Sequence, residues 1–336
     1  MLTTTVAGRT WNFSHAIGRG AAAGAGFAIP YAIASAPDGA FYVLSRGTER
    51  IGQGVILGIN KRVTKVTLDE KFIGEFGQGQ FTWPVDLAVD SDGNVYVSDE
   101  HENLISIFDP DGQKIGSWGE AGSGEGQISG PAGITFDDQD NLYVVDSRNN
   151  RVQKFTKDGA FSTSFGSAGT GDGQFNSPWG ITLDRDGNLY VANFGNNNVQ
   201  KFTTNGEYMM SFGVSSEENG NLLHPSNVAV DSEGDVYVVD FGNNRVQIYE
   251  PNGDIITALR GDGTEFSKWA KEVVDANPDV TKAFRRVKDM SPLGKFARPV
   301  GILVDDEDRV IISETVRSRL QVYEKEKNYM DPQFNL

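Results

Sequence analysis

The chain has 336 residues, 38% of them hydrophobic, with 40 glycines, no cysteine and a net charge of −16. No apolar run approaches the ~18 residues of a membrane-spanning helix, so no membrane is expected. The missing cysteines exclude disulfides, thiolate metal ligands and a cysteine nucleophile, and the acidic balance argues against nucleic acid, which selects basic faces. Aromatic and β-branched residues are plentiful, so the composition is that of a soluble, turn-rich β protein. MLTTTVAGRTWNF lacks the charged start and apolar core of a secretory signal, so a cytoplasmic protein is expected.

The first element in chain order looks like the end of a unit. FSHAIGRGAAAGAGFAIP at 13–30 lies without a gap over FSTSFGSAGTGDGQFNSP at 161–178, matching at both phenylalanines, the first serine, one glycine and the final proline. A strand over about 11–17 is therefore predicted to be a displaced last strand. Pro30, Pro84, Pro131, Pro178, Pro225 and Pro299 then open six similar segments, such as GPAGITFDDQDNLYVVD and SPWGITLDRDGNLYVAN, spaced 54, 47, 47, 47 and 74 residues apart. In the third, four strands are predicted: a at 133–137, b at 142–146, c at 151–155 and d at 160–165. The last repeat reads VGILVDD, RVIISE and RLQVYEK and lacks a clear fourth strand, which the N-terminal strand would supply. Six four-stranded antiparallel blades closed in this way make an all-β propeller, a single domain over 1–336.

Two insertions interrupt the pattern. RGTERIGQGVILGIN at 46–60 lengthens the b–c turn of blade 1, and residues 261–297 lengthen the d–a link between blades 5 and 6. The longer one predicts two helices, with Phe266, Trp269, Val273 and Val274 on one stripe and Val280, Phe284 and Val287 on the other. Seven basic residues, Lys268, Lys271, Lys282, Arg285, Arg286, Lys288 and Lys295, stand against five acids from 264 to 296, in an otherwise acidic chain. Since b–c turns and d–a links open on one face, and blades 6 and 1 adjoin, both insertions are expected over one channel mouth, the longer as a helical lid.

These repeats resemble the NHL-repeat family, in SPWGITLD and HPSNVAVD at the blade starts and in RNNRVQKF and GNNRVQIY at the blade centres, over residues 11–325 apart from the insertions. The resemblance implies a six-bladed propeller, a scaffold that carries enzymes, sensors and interaction modules alike. The amidating lyases of peptidyl-hydroxyglycine, which are similar, hold zinc through histidines that follow the repeat prolines. Here those positions are Tyr31, Val85, Ala132, Trp179, Ser226 and Val300, although Arg46–Gly47 matches the lyases' arginine. Gluconolactonase-type propellers use acidic and Asn metal ligands at strand-a starts, and Asp86 and Asn227 fall one place later.

The acid ending strand b and the arginine starting strand c are five apart in Asp146/Arg151, Asp240/Arg245 and Glu314/Arg319, and blade 4 changes both, to Asn193 and Asn198. That joint change points to structural pairs. Asp99 and Arg62 lack these partners, so they either meet across blades or serve another role. The Asp-rich turns, such as DSDGN and DRDGN, read as hairpins, since a strand starts where a calcium loop needs its last acid. His15, His101 and His224 have no metal-ligand spacing.

Residues expected around the mouth are Tyr31, Asp86, Trp179, Ser226 and Asn227 from strand a, and Arg46, Asp99, His101, Arg148, Phe194, Phe241 and Arg317 after strand b. Aromatic walls with a few polar groups suit a small ligand or a protein or peptide partner. Plugging of a narrow channel by Trp179, Phe194 and Phe241 is the competing reading. The expected function is binding over this face, with no cofactor. The alternative is a lyase or hydrolase using Arg46, His101, Asp86 and Asp99, with a divalent cation at the mouth.

Overall fold

The computed structural model describes residues 3–6, 8–47, 60–213, 220–284 and 286–326. Most of the blade 1 insertion and Arg285 lie outside the described residues.

Each repeat forms an antiparallel sheet of four strands, to which the last blade adds a fifth, and strand b of every blade is buried along almost its whole length because blades pack on both of its faces. Blade 3 is representative: Pro131–Phe136, Asn141–Asp146, Arg151–Thr156 and Phe161–Phe165, each within two residues of its prediction. The chain is an all-β, six-bladed propeller. Strand a of each blade runs beside the axis, from an upper face of b–c turns and d–a links to a lower face of a–b and c–d turns. Apolar side chains pack between neighbouring blades. Tyr143, Val145 and Val152 of blade 3, for instance, meet Ile181, Leu189 and Val191 of blade 4.

Closure is as the sequence implies, and more extensive. The N-terminal strand, Arg9–Ile17, pairs antiparallel with Arg319–Glu326, with Phe13 opposite Tyr323 and Ile17 opposite Leu320. A fifth strand, Thr3–Val6, which the sequence did not announce, covers the outside of this sheet. Covering matters because an outer strand otherwise leaves a row of unpaired backbone groups.

The Asn-Asn-Arg-Val-Gln centre ties one turn to the next. Asp146 accepts from the Ser129 amide (2.6 Å), Asn149 Nδ2 (2.9 Å), Arg151 Nε (2.8 Å) and Gln153 Nε2 (3.0 Å). Asn150, at φ 55°, turns its side-chain oxygen to the Ser177 amide of the next blade, 2.8 Å away. Asn197 and Asn244 do the same for His224 and Arg298. The acid–arginine pairs are thus structural. Blade 4 meets the same demand without charge, Asn193 accepting from the Asn176 amide and donating to the Gln174 carbonyl.

The two unmatched charges do not meet. Asp99 is buried and accepts from the amides of Thr82, Trp83, His101 and Glu102. Arg62 lies 2.8 Å from Glu75 in its own blade and donates to the carbonyls of Ala21, Ala22 and Gly26, the link that follows the closing strand.

The long insertion forms three short helices, α1 Lys268–Asp275, α2 Pro278–Phe284 and α3 Ser291–Gly294. Ser267 caps α1 by accepting from the Ala270 amide and donates to the Gly18 carbonyl. Trp269, 7% exposed, packs with Phe27, Ile33 and Val322, and its amide donates to Glu70. Lys268 reaches the Asp69 carbonyl. Gly18 directly follows the closing strand of blade 6, and Asp69 and Glu70 lie in the c–d turn of blade 1. Thus α1 is anchored at the rim of the seam between blades 6 and 1, where the sequence had suggested a cover over the mouth.

Candidate functional site

Of the residues expected at the mouth, Tyr31, Trp179, Phe194 and Phe241 form one chain of ring contacts, and its inner end closes the channel. Tyr31 and Trp179 belong to blades 1 and 4, on opposite sides of the axis, and their ring centroids lie 6.1 Å apart. Two strand-a side chains from opposite blades touch only by crossing the channel. Val85, Ala132, Ser226 and Val300 occupy the same level in the other blades and are buried. The six positions that hold zinc in the resembling lyases are therefore a packed plug without a histidine, and they do not fit that ion.

Aromatic contacts continue outward from the plug. Trp179 tilts against Phe194 at 5.0 Å, and Phe194 stacks on His224 at 4.6 Å with an 18° interplanar angle. Phe241 follows at 6.4 Å from Phe194. The Arg46 guanidinium lies over the Tyr31 ring, 4.8 Å from its centroid, and pairs with Glu100. Burial raises the Tyr31 hydroxyl pKa, opposed by Arg46. Tyr31, Trp179, Phe194, His224 and Phe241 are all partly buried, so the group is a floor of rings spanning blades 1, 4 and 5, with part of its surface in water. Its position follows from the repeat: Tyr31 and Trp179 sit directly after a blade proline, His224 directly before one, and Phe194 and Phe241 in the turn after strand b.

His101 stands apart, in blade 2. Its ring lies 5.1 Å from Trp83, and Nδ1 is 3.2 Å from Glu102. Hydrogen bonds from Thr82 and His101 hold the Glu102 carboxyl below its usual pKa. Arg148 is exposed and packs beside Gly130. Arg317 is engaged with the insertion, donating to the carbonyls of Pro292 (2.8 Å) and Lys295, and lying 3.3 Å from Glu314. The insertion meets the upper face through α3 in this way. Asp99 is committed to its four amides.

Asp86 and Asn227 lie below the plug. They line the closed end of a cavity of ≈ 330 Å³ that follows the strand-a walls downward. Asp86 Oδ1 accepts from the Leu87 amide (2.9 Å) and Oδ2 from the Ile134 amide of blade 3 (3.0 Å). Burial overcomes these two hydrogen bonds and lifts the Asp86 pKa to about 7. Asn227 Oδ1 accepts from the Val228 amide in the same way. At the equivalent position blades 3, 4 and 6 carry Gly133, Gly180 and Gly301, where a Cβ would come within 2.2–2.6 Å of a neighbouring blade.

Sequence reasoning missed Trp83, Glu100 and Glu102 as members of the upper face. Trp83 immediately precedes a repeat proline, as His224 does, and this shared position was the available signal. No group of three or more His, Cys, Asp or Glu that could hold a metal ion occurs among the described residues.

Comparisons with known proteins agree with the architecture. The profile of the SMP-30/Gluconolactonase/LRE-like region matches residues 86–222, and that of the NHL repeat matches 222–249. No curated protein matches the chain in sequence. Among solved structures, a streptogramin B lyase is 15% identical over 96% of this chain and 100% of its own, with a TM-score of 0.59. A catalytically inactive virginiamycin B lyase from Staphylococcus aureus with quinupristin is 16% identical over 94% and 99%, with a TM-score of 0.57. A protein of unknown function from Bacteroides thetaiotaomicron is 19% identical over 95% and 76%, with a TM-score of 0.62. At these identities the likeness concerns the fold alone. The class is defined by blade and motif together: a propeller with six blades. The chain is an NHL-type six-bladed propeller. No helix among the described residues is long and apolar enough to cross a membrane.

Proposed function

We propose that this protein is a binding propeller whose upper face receives a small ligand or a peptide partner through an aromatic or apolar anchor. The observation that carries this reading is the continuous floor of rings from Tyr31 through Trp179 and Phe194 to His224 and Phe241, with Arg46 at its edge. Half-covered aromatic and arginine side chains concentrate binding energy in protein interfaces and ligand sites. The test is a peptide-display selection and a thermal-shift panel of aromatic metabolites, run on the wild type and on Phe194→Ala. The reading expects a ligand that binds the wild type and loses about tenfold or more affinity in the variant, a ΔΔG of ~1.4 kcal/mol or more. Ligands that bind both equally, or no ligand from either screen, count against it.

A second reading, a lyase or hydrolase on the same face, is supported by the His101–Glu102 pair, in which a carboxylate lies beside an accessible imidazole as a general base requires. Quinupristin, bound in the virginiamycin B lyase structure, is the first compound to assay. This reading expects its consumption by the wild type and not by His101→Ala.

A further inference from the structure

Two depressions adjoin where the long insertion passes the outer part of blade 6. The first, of ≈ 370 Å³, lies between α1 and α2 and is walled by Phe266, Val274 and Phe284 with Thr281, so its surface is mostly apolar. The second, of ≈ 600 Å³, is lined by Asn12, Phe13 and Ser14 of the closing strand together with Asp262 and Glu324. Thr264 and Glu265 belong to both, so the two form one groove.

The apolar end is left open to water. Phe266 and Phe284 meet edge to face with centroids 4.5 Å apart, yet Phe266 is 39% exposed. The helix that carries Phe284 leans on α1 and has no buried residue, so the second side of this ring pair is uncovered. Paired aromatic rings inside a polar rim mark an interaction surface.

The acidic end lacks counter-charge. Asp262 accepts from the Tyr323 hydroxyl (3.2 Å) and Glu324 from the Ser14 hydroxyl (2.8 Å), while Glu265 is exposed. None of the three is in a salt bridge among the described residues. Lys271 is the one cation lining the groove among those residues, and it pairs with Asp275. Lys268 is turned to the Asp69 carbonyl. The basic residues of the insertion therefore leave the groove acidic.

We propose that this groove docks a basic peptide segment of a partner protein. An aromatic or aliphatic side chain enters the cleft against Phe266 and Phe284, and a neighbouring arginine or lysine reaches Glu265, Asp262 and Glu324. A peptide fits because anchor and charge are received in two adjoining depressions, which side chains of one extended segment can enter together. Arginine suits the acidic end, since its planar fork pairs with carboxylates. Surface charge of this kind selects the partner, and the buried anchor supplies most of the affinity. No ring of the upper-face floor lines the groove, so the site stands independently of the reading given above.

The test is fluorescence anisotropy of the full chain, at low salt, with a panel of labelled heptapeptides. Each carries an Arg-Arg pair and one Phe, Trp or Leu, with the spacing between them varied. Saturable binding of at least one member is expected, and its loss when glutamate replaces the arginines or serine replaces the apolar residue. Affinity is expected to fall about tenfold or more in Phe284→Ala and in Glu265→Arg. Glu265→Arg alters an exposed side chain and keeps the test decisive if Phe284→Ala loosens α2. Absence of saturable binding across the panel overturns the proposal, and so do equal affinities for wild type and both variants. Preference for the glutamate peptides also overturns it, assigning the surface to exposed Arg286 and Lys288 instead. A concentration-dependent dimer that Phe284→Ala abolishes would make a second copy the occupant and overturn it as well.

Discussion

Trp11 donates its indole N–H to the Tyr237 hydroxyl at 2.9 Å, joining residues 226 positions apart in sequence. Trp11 belongs to the closing strand of blade 6 and Tyr237 to blade 5, so the contact fastens the N-terminus to the ring's last complete sheet. Charges reinforce it: Arg9 lies 2.9 Å from Asp235, and Lys325 lies 2.6 Å from Asp231 and 2.9 Å from Asp235. Trp11→Ala empties a site where the side chain is 1% exposed. A loss of ~3–5 kcal/mol in urea unfolding is expected. Removal of residues 1–19 is expected to lower the melting temperature further, because the edge of blade 6 is then bare; an unchanged melt would contradict closure by this strand.

The Asp146–Arg151 pair offers a double-mutant cycle with a built-in reference. Arg151→Asn alone leaves a buried aspartate short of its counter-charge, at ~3–5 kcal/mol. Adding Asp146→Asn reproduces the neutral pair Asn193 and Asn198 of blade 4 and is expected to restore much of that loss. Chemical denaturation of the four proteins measures the coupling, and additive losses would refute it.

Asp86 makes stability fall as pH rises. Its folded pKa, about 7, lies above its ordinary value of 3.8, so the folded state holds the proton more tightly than the unfolded one. The stabilisation is fully present below about pH 4 and is lost as pH rises through about 7. Asp86→Asn removes this dependence at the expense of one amide acceptor. The variant is expected to be less stable than wild type at pH 5 by ~1 kcal/mol and to equal or exceed it at pH 8. Parallel stability–pH curves for the two proteins would rule this out.

The anchoring of α1 predicts that the insertion supports the ring. Trp269→Ala is expected to cost ~3 kcal/mol or more, since the ring fills the seam beside Phe27 at a centroid distance of 6.0 Å. Trimming only α2, whose residues are largely exposed, is expected to leave the melt within ~0.5 kcal/mol of wild type. Equal sensitivity of both would show that the rim contact is not what matters.

The blades were legible before any coordinates, because each is written locally. A proline, alternating strands and an Asn-Arg-Gln centre recur at 47 residues, and every hydrogen bond of Asp146 goes to a residue within 20 positions. Closure was legible too, since the first strand matches a strand d elsewhere in the chain. What the central residues do depends on the packed ring. Tyr31 and Trp179 look like two walls of an open mouth when taken blade by blade, yet they meet across the axis and shut it. Asp86 likewise lies beneath the plug, at the end of a channel that opens on the other face. The diameter of a ring depends on how six sheets pack together, and no single repeat encodes that distance.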